Sequence, residues 1–255
     1  MIIKEMTGKA IYQGVLEQAG HRAELEMAFY LRRFFNDNSE IFILHDFSIF
    51  HKREKAQIDH LIVHAGGFII IESKSVASEI FVDDQMQWSR AYQGKHRGMR
   101  SPIIQCEMQE MLLKNNLRTY CDKKWANAPL SVLVAISDSG MIRSSVSLGN
   151  VVKADQVPSK IRAILEQAPP YFTRPELLSI SCYCTSVSDQ HAVNELESIR
   201  RDPKIAPEDS KGLADQLLHD IATDSMSDEE IYDFYEKNRY QSAFEAVNAQ
   251  DWQNV

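Results

Sequence analysis

The chain has 255 residues, of which 44% are hydrophobic and 25% are charged, and its formal net charge is −8. This length and composition suit a globular protein with a full core, and no apolar run approaches the roughly 18 residues of a membrane span. The first residues lack the continuous apolar segment of a secretory signal, so we expect a cytoplasmic protein with no membrane contact. Four scattered cysteines are too few for a disulfide framework, and we expect buried, reduced thiols.

The charge is unevenly distributed along the chain. Residues 186–255 contain 16 acidic and 6 basic residues, whereas residues 1–185 contain 20 acidic and 22 basic ones. The net charge alone argues against a nucleic-acid partner, but the mildly basic first part does not. We therefore divide the chain into a functional domain at 1–168 and an acidic, mainly helical C-terminal extension at 169–255. The extension either packs on the core, mediates self-association or binding of a protein partner, or shields the basic surface.

The first predicted elements are a helix and a strand. From Gly20 onward, apolar residues recur at helical spacing and predict an amphipathic helix that ends near residues 36–39. Glu24 falls in its first turn, where the helix dipole favours a carboxylate. Ile41–Phe47 predicts a strand and 48–56 a polar loop. That loop is either simply solvated or holds a phosphate backbone through its basic residues Lys52, Arg53 and Lys55.

Residues 57–74 predict the central feature of the fold, a tight β-hairpin. Two runs rich in β-branched residues flank Gly66-Gly67, a pair that supplies the positive φ angles of a two-residue turn. With this turn, Leu61 would face Glu72 and Asp59 would face Lys74 on the neighbouring strand. Because side chains alternate with period two, one face collects Gln57, Asp59, Leu61, Val63, Ile70, Glu72 and Lys74.

The opposite face of the hairpin is mostly apolar too, which indicates strands that are buried on both sides. It carries Ile58, His60, Ile62, Ile69 and Ile71. Burying an aspartate, a glutamate and a lysine is costly unless the three groups pair with one another or bind a metal. We therefore prefer a functional site with a shared cation to a solvated strand face on which charges happen to meet.

A basic segment follows the hairpin. Ile80–Val82 and 87–89 predict short strands, and no acidic residue occurs from 85 to 105. Trp88 and Tyr92 lie among the basic residues, an arrangement typical of surfaces that bind single-stranded or flexed nucleic acid by charge and stacking. An ordinary exposed loop is the alternative. The candidate nucleic-acid contacts are Arg90, Lys95, Arg97 and Arg100.

A second helix is predicted from Pro102, whose missing N–H is harmless at the first helical position, to about Tyr120. Gln105 falls in its first turn. The predicted core stripe of this helix consists of Ile104, Met108, Met111, Leu112 and Leu117.

The rest of the chain alternates between strand and helix. Leu130–Ile136 predicts a central strand, 146–153 a weaker strand, and Pro158–Gln167 a helix. The segment 177–187 fits either a strand or a helix. Three further helices are predicted at 189–201, 209–223 and 227–248.

The order of these residues resembles a known family. Asp59 followed by Glu72-x-Lys74 after a hairpin resembles the core of PD-(D/E)xK nucleases. The fuller pattern is similar to the nuclease-related domain, NERD, over about residues 20–135. Two positions depart from that family's pattern: this chain has Ala23 where the family usually has a glycine, and Ser101 where it usually has an asparagine. The matching landmarks are Gln57-Ile58-Asp59-His60, Gly67-Phe68, Glu72-Ser73-Lys74, Trp88 and Pro102-x-x-Gln105.

The resemblance implies a restriction-endonuclease-like α/β core, with a central mixed sheet flanked by helices and followed by the helical extension. It also implies roles for individual residues. Asp59, Glu72 and the backbone carbonyl of Ser73 would bind Mg²⁺ or Mn²⁺, and Lys74 would orient the attacking water or stabilise developing charge. The remaining members of the implied site are Glu24, as part of the catalytic set, and the supporting residues Gln57 and Gln105.

Together these features predict a metal-dependent nuclease that hydrolyses phosphodiester bonds, with DNA as the expected substrate. One alternative is a non-catalytic nucleic-acid-binding or regulatory module of the same fold that acts within a complex. Acid–base catalysis by His60 and His64 is a further alternative. We disfavour it because both residues have even numbers and so lie on the strand face opposite Asp59.

Overall fold

The computed structural model describes residues 1–6, 15–76, 78–92 and 94–188. Its centre is a six-stranded mixed sheet with strand order β1-β2-β3-β4-β8-β10. The neighbours β2, β3 and β4 are antiparallel, whereas β8 runs parallel to both β4 and β10, and β1 runs parallel to β2. The strands are β1 (Ile2–Lys4), β2 (Ile41–His51), β3 (Glu54–His64), β4 (Gly67–Lys74), β8 (Leu130–Ile136) and β10 (Val151–Lys153).

Helices cover both faces of this sheet. On one face, α1 and α4 pack against Ile62, Ile69 and Ile71. On the other face, α2 and α5 pack against Leu61 and Ile70. The mixed α/β architecture with a central sheet flanked by helices is therefore confirmed. The helices are α1 (Val15–Phe35), α2 (Pro102–Tyr120), the short α3 (Lys123–Ala126), α4 (Val157–Gln167) and α5 (Arg174–Ser188).

A second, four-stranded sheet has the order β7-β6-β5-β9. Its strands β6 and β7 form an antiparallel hairpin. This hairpin lies in the basic segment that follows the central hairpin, where an ordinary exposed loop was one of the two interpretations. The strands are β5 (Glu79–Val82), β6 (Trp88–Tyr92), β7 (Lys95–Met99) and β9 (Met141–Ser144).

The central hairpin turns one residue earlier than the sequence predicts. The loop residues are Ala65 and Gly66, and Gly67 already pairs with His64 as the first residue of β4. The prediction of a Gly66-Gly67 loop was therefore wrong. The reason lies outside the hairpin, since a Cβ on Gly67 would stand 2.0 Å from the carbonyl oxygen of Pro129.

The corrected register preserves the predicted face. Leu61 faces Ile70 instead of Glu72, which is a shift of two residues along β4. A shift of two keeps every side chain on its side, because the side-chain period is also two. Continuing the register by one pair places Asp59 opposite Glu72 instead of opposite Lys74.

Ile58 does not join the face predicted for it. It packs in the same cluster as Leu61, although the two positions differ by an odd number. The alternation is interrupted where the pairing of β2 with β3 passes from His45 to Phe47, because the intervening Asp46 has a φ of 50°. A residue with a left-handed backbone conformation changes the face of the sheet to which the neighbouring side chains point.

The prediction of a polar loop at 48–56 was also wrong. Residues 48–51 continue β2 and pair with 54–57 of β3, so only Lys52 and Arg53 form the turn. Lys52 has a φ of 55°, as a tight hairpin turn requires.

The helix α2 has the predicted bounds but is rotated about its axis. Leu112 and Leu117 are buried as predicted, whereas Ile104, Met108 and Met111 are 53%, 62% and 55% exposed. Polar residues, Gln109 and Asn116, take core-facing positions because their side-chain amides bind oxygens of the sheet and its loops, as described below.

The ambiguous segment at 177–187 is helical and belongs to α5. Its residues Leu177, Ile180 and Cys184 join the core cluster on the α2 side of the sheet. The division at residue 168 stays a prediction, and the three helices predicted at 189–201, 209–223 and 227–248 lie outside the described residues. No helix within the described ranges is long and apolar enough to cross a membrane.

Replacing Gly67 by alanine should lower the free energy of unfolding by about 2 kcal/mol or more, because it adds a steric clash to a strained backbone. Gly67 has a φ of +136°, and its missing Cβ leaves the room that the Pro129 carbonyl occupies. Urea unfolding at equilibrium measures the change. Gly98→Ala in β7 is the matched control, since nothing lies within 4 Å of a Cβ there. An equal loss in both variants would contradict this explanation of the turn.

Candidate active site

A cleft of about 440 Å³ opens at the end of β4 where Lys74 lies. Residues from α1, β3, β4, β6 and α2 line it, so five elements contribute to one site. The structure brings together eight of the residues singled out from the sequence: the seven of the implied catalytic and metal site, and Arg90 from the candidate nucleic-acid contacts. Those seven lining residues are Glu24, Gln57, Asp59, Glu72, Ser73, Lys74 and Gln105.

Asp59 is fixed to the neighbouring strand. Its Oδ2 accepts a hydrogen bond of 2.7 Å from the backbone N–H of Ser73. Burial raises the pKa of Asp59 well above its ordinary value, and the nearby carboxylates of Glu72 and Glu24 raise it further. No donor among the described residues contacts Oδ1, so this oxygen remains available to a ligand.

Glu72 carries the most heavily bonded carboxylate of the cleft, and the residue is only 2% exposed. Its Oε1 accepts from Lys74 Nζ at 2.5 Å and from Gln105 Nε2 at 2.6 Å. Its Oε2 accepts from Gln109 Nε2 at 2.9 Å. These donors offset the cost of keeping a charged carboxylate out of water.

Lys74 bridges the strand and the helix. Besides its ion pair with Glu72, its Nζ donates a hydrogen bond of 2.9 Å to Gln105 Oε1. Gln105 thus accepts a hydrogen bond from the lysine and donates one to the glutamate. The ammonium group is held at the cleft by two fixed acceptors.

Gln57 pairs with a residue that the sequence analysis missed. Its Nε2 donates to Asp46 Oδ1, and its backbone carbonyl accepts from Gln109 Nε2 at 2.7 Å. A signal for Asp46 existed, because a lone carboxylate interrupts the apolar strand Ile41–Phe47. Gln109 also carried a signal, since it lies four residues after Gln105 and therefore on the same side of the helix.

Glu24 reaches the cleft from the body of α1. The helix begins at Val15, so Glu24 lies in its third turn and not in the first turn predicted from the sequence. The favourable dipole at a helix N-terminus fades beyond the first turn and does not account for this carboxylate. Its neighbour within α1 is His21, whose Nδ1 is 3.6 Å from Glu24 Oε2.

The two histidines of the alternative mechanism are buried and do not line the cleft. Burial and the neighbouring His45 hold the pKa of His60 well below its ordinary value, and burial lowers the pKa of His64 to about 4. His64 Nδ1 accepts from the backbone N–H of Gly66 at 3.1 Å. Both rings are therefore neutral parts of the core.

A buried histidine pair supports the cleft from the other side of β3. Nδ1 of His45 and Nδ1 of His60 are 2.8 Å apart, and His60 Nε2 is 3.3 Å from Ser73 Oγ. Burial lowers the pKa of His45 to about 4, so one shared proton joins two neutral rings. Within the described part of the chain, His45 Nε2 has no hydrogen-bond partner.

The predicted nucleic-acid contacts divide into three places. Arg90 lines the cleft itself. The other two groups are exposed and lie outside its lining. One group is at the edge of the second sheet, where Arg97 stacks 4.9 Å over the ring of Tyr92, and the other is at the β2–β3 turn. The first group consists of Lys95, Arg97 and Arg100, and the second of Lys52, Arg53 and Lys55.

The donors of the cleft suit a hard cation. Two carboxylates and a backbone carbonyl offer oxygen ligands, which Mg²⁺ and Mn²⁺ prefer. Among the described residues there is no cluster of three or more His, Cys, Asp or Glu side chains that would hold a metal by side chains alone. Any divalent cation in this cleft would therefore need water or substrate oxygens to complete its coordination.

Comparison with known proteins gives one match. Residues 19–137 match the family model of the nuclease-related domain. No curated protein and no solved structure matches the chain. The matched range contains Glu24, Asp59, Glu72, Lys74 and Gln105, and so spans the whole cleft. Residues 19–137 are thus similar to the nuclease-related domain, a likeness consistent with the PD-(D/E)xK nuclease superfamily.

Proposed function

We propose that the protein is a metal-dependent nuclease that hydrolyses phosphodiester bonds in DNA. The observation that carries the proposal is the meeting of Asp59, Glu72 and Lys74 in one cleft of a nuclease-related domain. Hydrolysis of a phosphodiester needs an activated water and positive charge on the phosphate oxygens. The cleft contains groups suited to both tasks.

The cation would be held by Asp59, Glu72 and the backbone carbonyl of Ser73. Mg²⁺ or Mn²⁺ would neutralise charge on the phosphate and lower the pKa of a bound water. Asp59 has Oδ1 available for this purpose, since its other oxygen is engaged by the Ser73 N–H. Glu24 lies beside the same carboxylates and would orient water in the cleft.

Lys74 would act on the water or on the scissile phosphate. Its ammonium group is held by Glu72 and Gln105, so its position is set before any substrate arrives. A preorganised charge stabilises a developing oxyanion without the cost of reorganisation. Arg90 would contact the substrate within the cleft, and the two exposed basic groups would bind the phosphate backbone outside it.

A second candidate function is a binding module that does not turn over. One observation favours it, because both oxygens of Glu72 already accept hydrogen bonds from Lys74, Gln105 and Gln109. Such an arrangement is stable without a cation. Cleavage assays separate the two candidates.

Asp59→Ala and Lys74→Ala should each reduce cleavage at least about 100-fold, on the scale of removing a charge-stabilising group from an active site. The assay uses the full chain with Mg²⁺ or Mn²⁺ on plasmid, linear duplex and single-stranded DNA. Lys114→Ala is the matched control, since Lys114 lies on α2 in a half-exposed ion pair with Glu110. Equal cleavage by the wild type and the two site variants would show that the activity does not come from this cleft.

Asp59→Asn should raise the free energy of unfolding at pH 7 to 8 in the presence of EDTA. The pKa of Asp59 is raised in the folded state, so its charged form destabilises the fold above that pKa. The advantage of asparagine should shrink as the pH falls towards the ordinary aspartate pKa of about 3.9, where Asp59 is neutral in both states. Urea unfolding between pH 5 and 8 measures the trend, and a pH-independent difference would contradict it.

Arg97→Ala should weaken DNA binding for all sequences alike and reduce the salt slope of log K by about 1, as expected for the loss of one phosphate contact. Binding is measured by fluorescence anisotropy at several salt concentrations, with Asp59→Ala as the background to prevent cleavage. Arg143→Ala is the control, because Arg143 lies on β9 at the opposite edge of the same sheet. An identical slope for both arginine variants would remove this edge from the DNA-binding surface.

A further inference from the structure

Gln109 is a polar residue in an apolar position. It lies on α2, is 3% exposed and faces the sheet together with Leu112 and Leu113. Its two amide hydrogens go to two different oxygens, the backbone carbonyl of Gln57 at 2.7 Å and Glu72 Oε2 at 2.9 Å. Its own Oε1 is buried and has no hydrogen-bond partner among the residues that the structure describes.

A buried amide with an unpaired oxygen destabilises a core relative to an apolar side chain of similar size. A buried polar group that is left unsatisfied loses the hydrogen bonds that it would make with water. An unbranched apolar side chain such as methionine has a similar length and would avoid this cost. The benefit of Gln109 must therefore lie in its two donated hydrogen bonds.

We propose that Gln109 is a positioning residue that fixes the rotation of the Glu72 carboxylate, so that Oε1 is the oxygen offered to the divalent cation. This inference rests on the proposed function. Gln109 does not line the cleft and holds Oε2 on its own side, whereas Oε1 lies beside Lys74 and Gln105, which do line it, so Oε1 is the oxygen on the cleft side. Mg²⁺ demands near-ideal octahedral geometry at about 2.0–2.1 Å, so a carboxylate free to rotate would bind it less well.

Gln109 also sets the distance between the two carboxylate-bearing strands. Its contact with the Gln57 carbonyl fixes β3 two residues before Asp59, and its contact with Glu72 fixes β4. One side chain on the helix thus ties together both strands that would bind the cation. Groups behind metal ligands typically change metal affinity or activity 10–100-fold when they are removed.

Gln109→Met tests this role in the full chain. The variant keeps the length of the side chain and removes both donors. We expect the dissociation constant for Mn²⁺, measured by isothermal titration calorimetry, to rise about 10–100-fold. In the cleavage assay kcat should fall while KM for DNA stays unchanged, because the residue does not reach the substrate.

Asn116→Leu is the matched control. Asn116 lies on the same helix, is also 3% exposed, and donates through Nδ2 to the Phe50 carbonyl at 2.6 Å, but it contacts no carboxylate of the cleft. Both variants should lose stability through the broken helix-to-strand hydrogen bond. Only Gln109→Met should lose Mn²⁺ affinity.

A measurement on the wild-type protein decides the matter if Gln109→Met does not fold. The side-chain amide resonances of Gln109 and Asn116 are followed by nuclear magnetic resonance during a titration with Mg²⁺. We expect the Gln109 resonance to shift, because its acceptor Glu72 changes partners, while the Asn116 resonance stays in place. Saturable Mg²⁺ binding with an unmoved Gln109 resonance would overturn the inference.

The results also separate this inference from the proposed function. If the wild type and Asp59→Ala bind Mn²⁺ equally, or neither binds it, the cation site itself is wrong and the inference fails with it. If Asp59→Ala loses binding while Gln109→Met keeps the wild-type affinity, the proposed function stands and the inference alone is overturned.

Discussion

The structure depends on supplying hydrogen-bond donors to one buried carboxylate, that of Glu72. Glu72 lies two residues before the end of β4, a strand that neighbours cover on both edges and helices on both faces, and a carboxylate there must be matched by donors. Lys74 supplies one donor from the same strand, and α2 supplies the others through Gln105 and Gln109. The helix is therefore held to the sheet by polar contacts at one end and by apolar packing further along.

The same requirement explains why α2 turns its polar residues inward. Gln105 and Gln109 stand four residues apart and reach the same glutamate, so the side of the helix that carries them must face the sheet. Met108 and Met111 are then directed outward, although hydrophobicity alone would bury them. In this helix the pairing of a buried charge outweighs the burial of two methionines.

Much of the fold and the meeting of Asp59, Glu72 and Lys74 could be predicted because both follow from local periodicity. The turn was misplaced by one residue, yet the resulting shift of two along β4 left each side chain on its predicted face. What the sequence could not show were contacts from distant segments. Pro129 fixes Gly67, Asp46 breaks the alternation of the strands, and Glu72 reorients α2; none of these effects appears in the pattern of apolar residues.

The charges of the site are separated in space, with carboxylates inside the cleft and most basic residues outside it. Burial and two neighbouring carboxylates raise the pKa of Asp59, which shows that the interior disfavours further negative charge. Phosphate is negative as well, so the carboxylates of the cleft would repel a phosphodiester unless positive charge is added. Lys74 and Arg90 bring positive charge to its walls, but the lysine is already paired with Glu72. Under the proposed function, Asp59 and Glu72 would hold a divalent cation whose charge offsets theirs, and Lys74 and Arg90 would then meet the phosphate at the walls of the cleft.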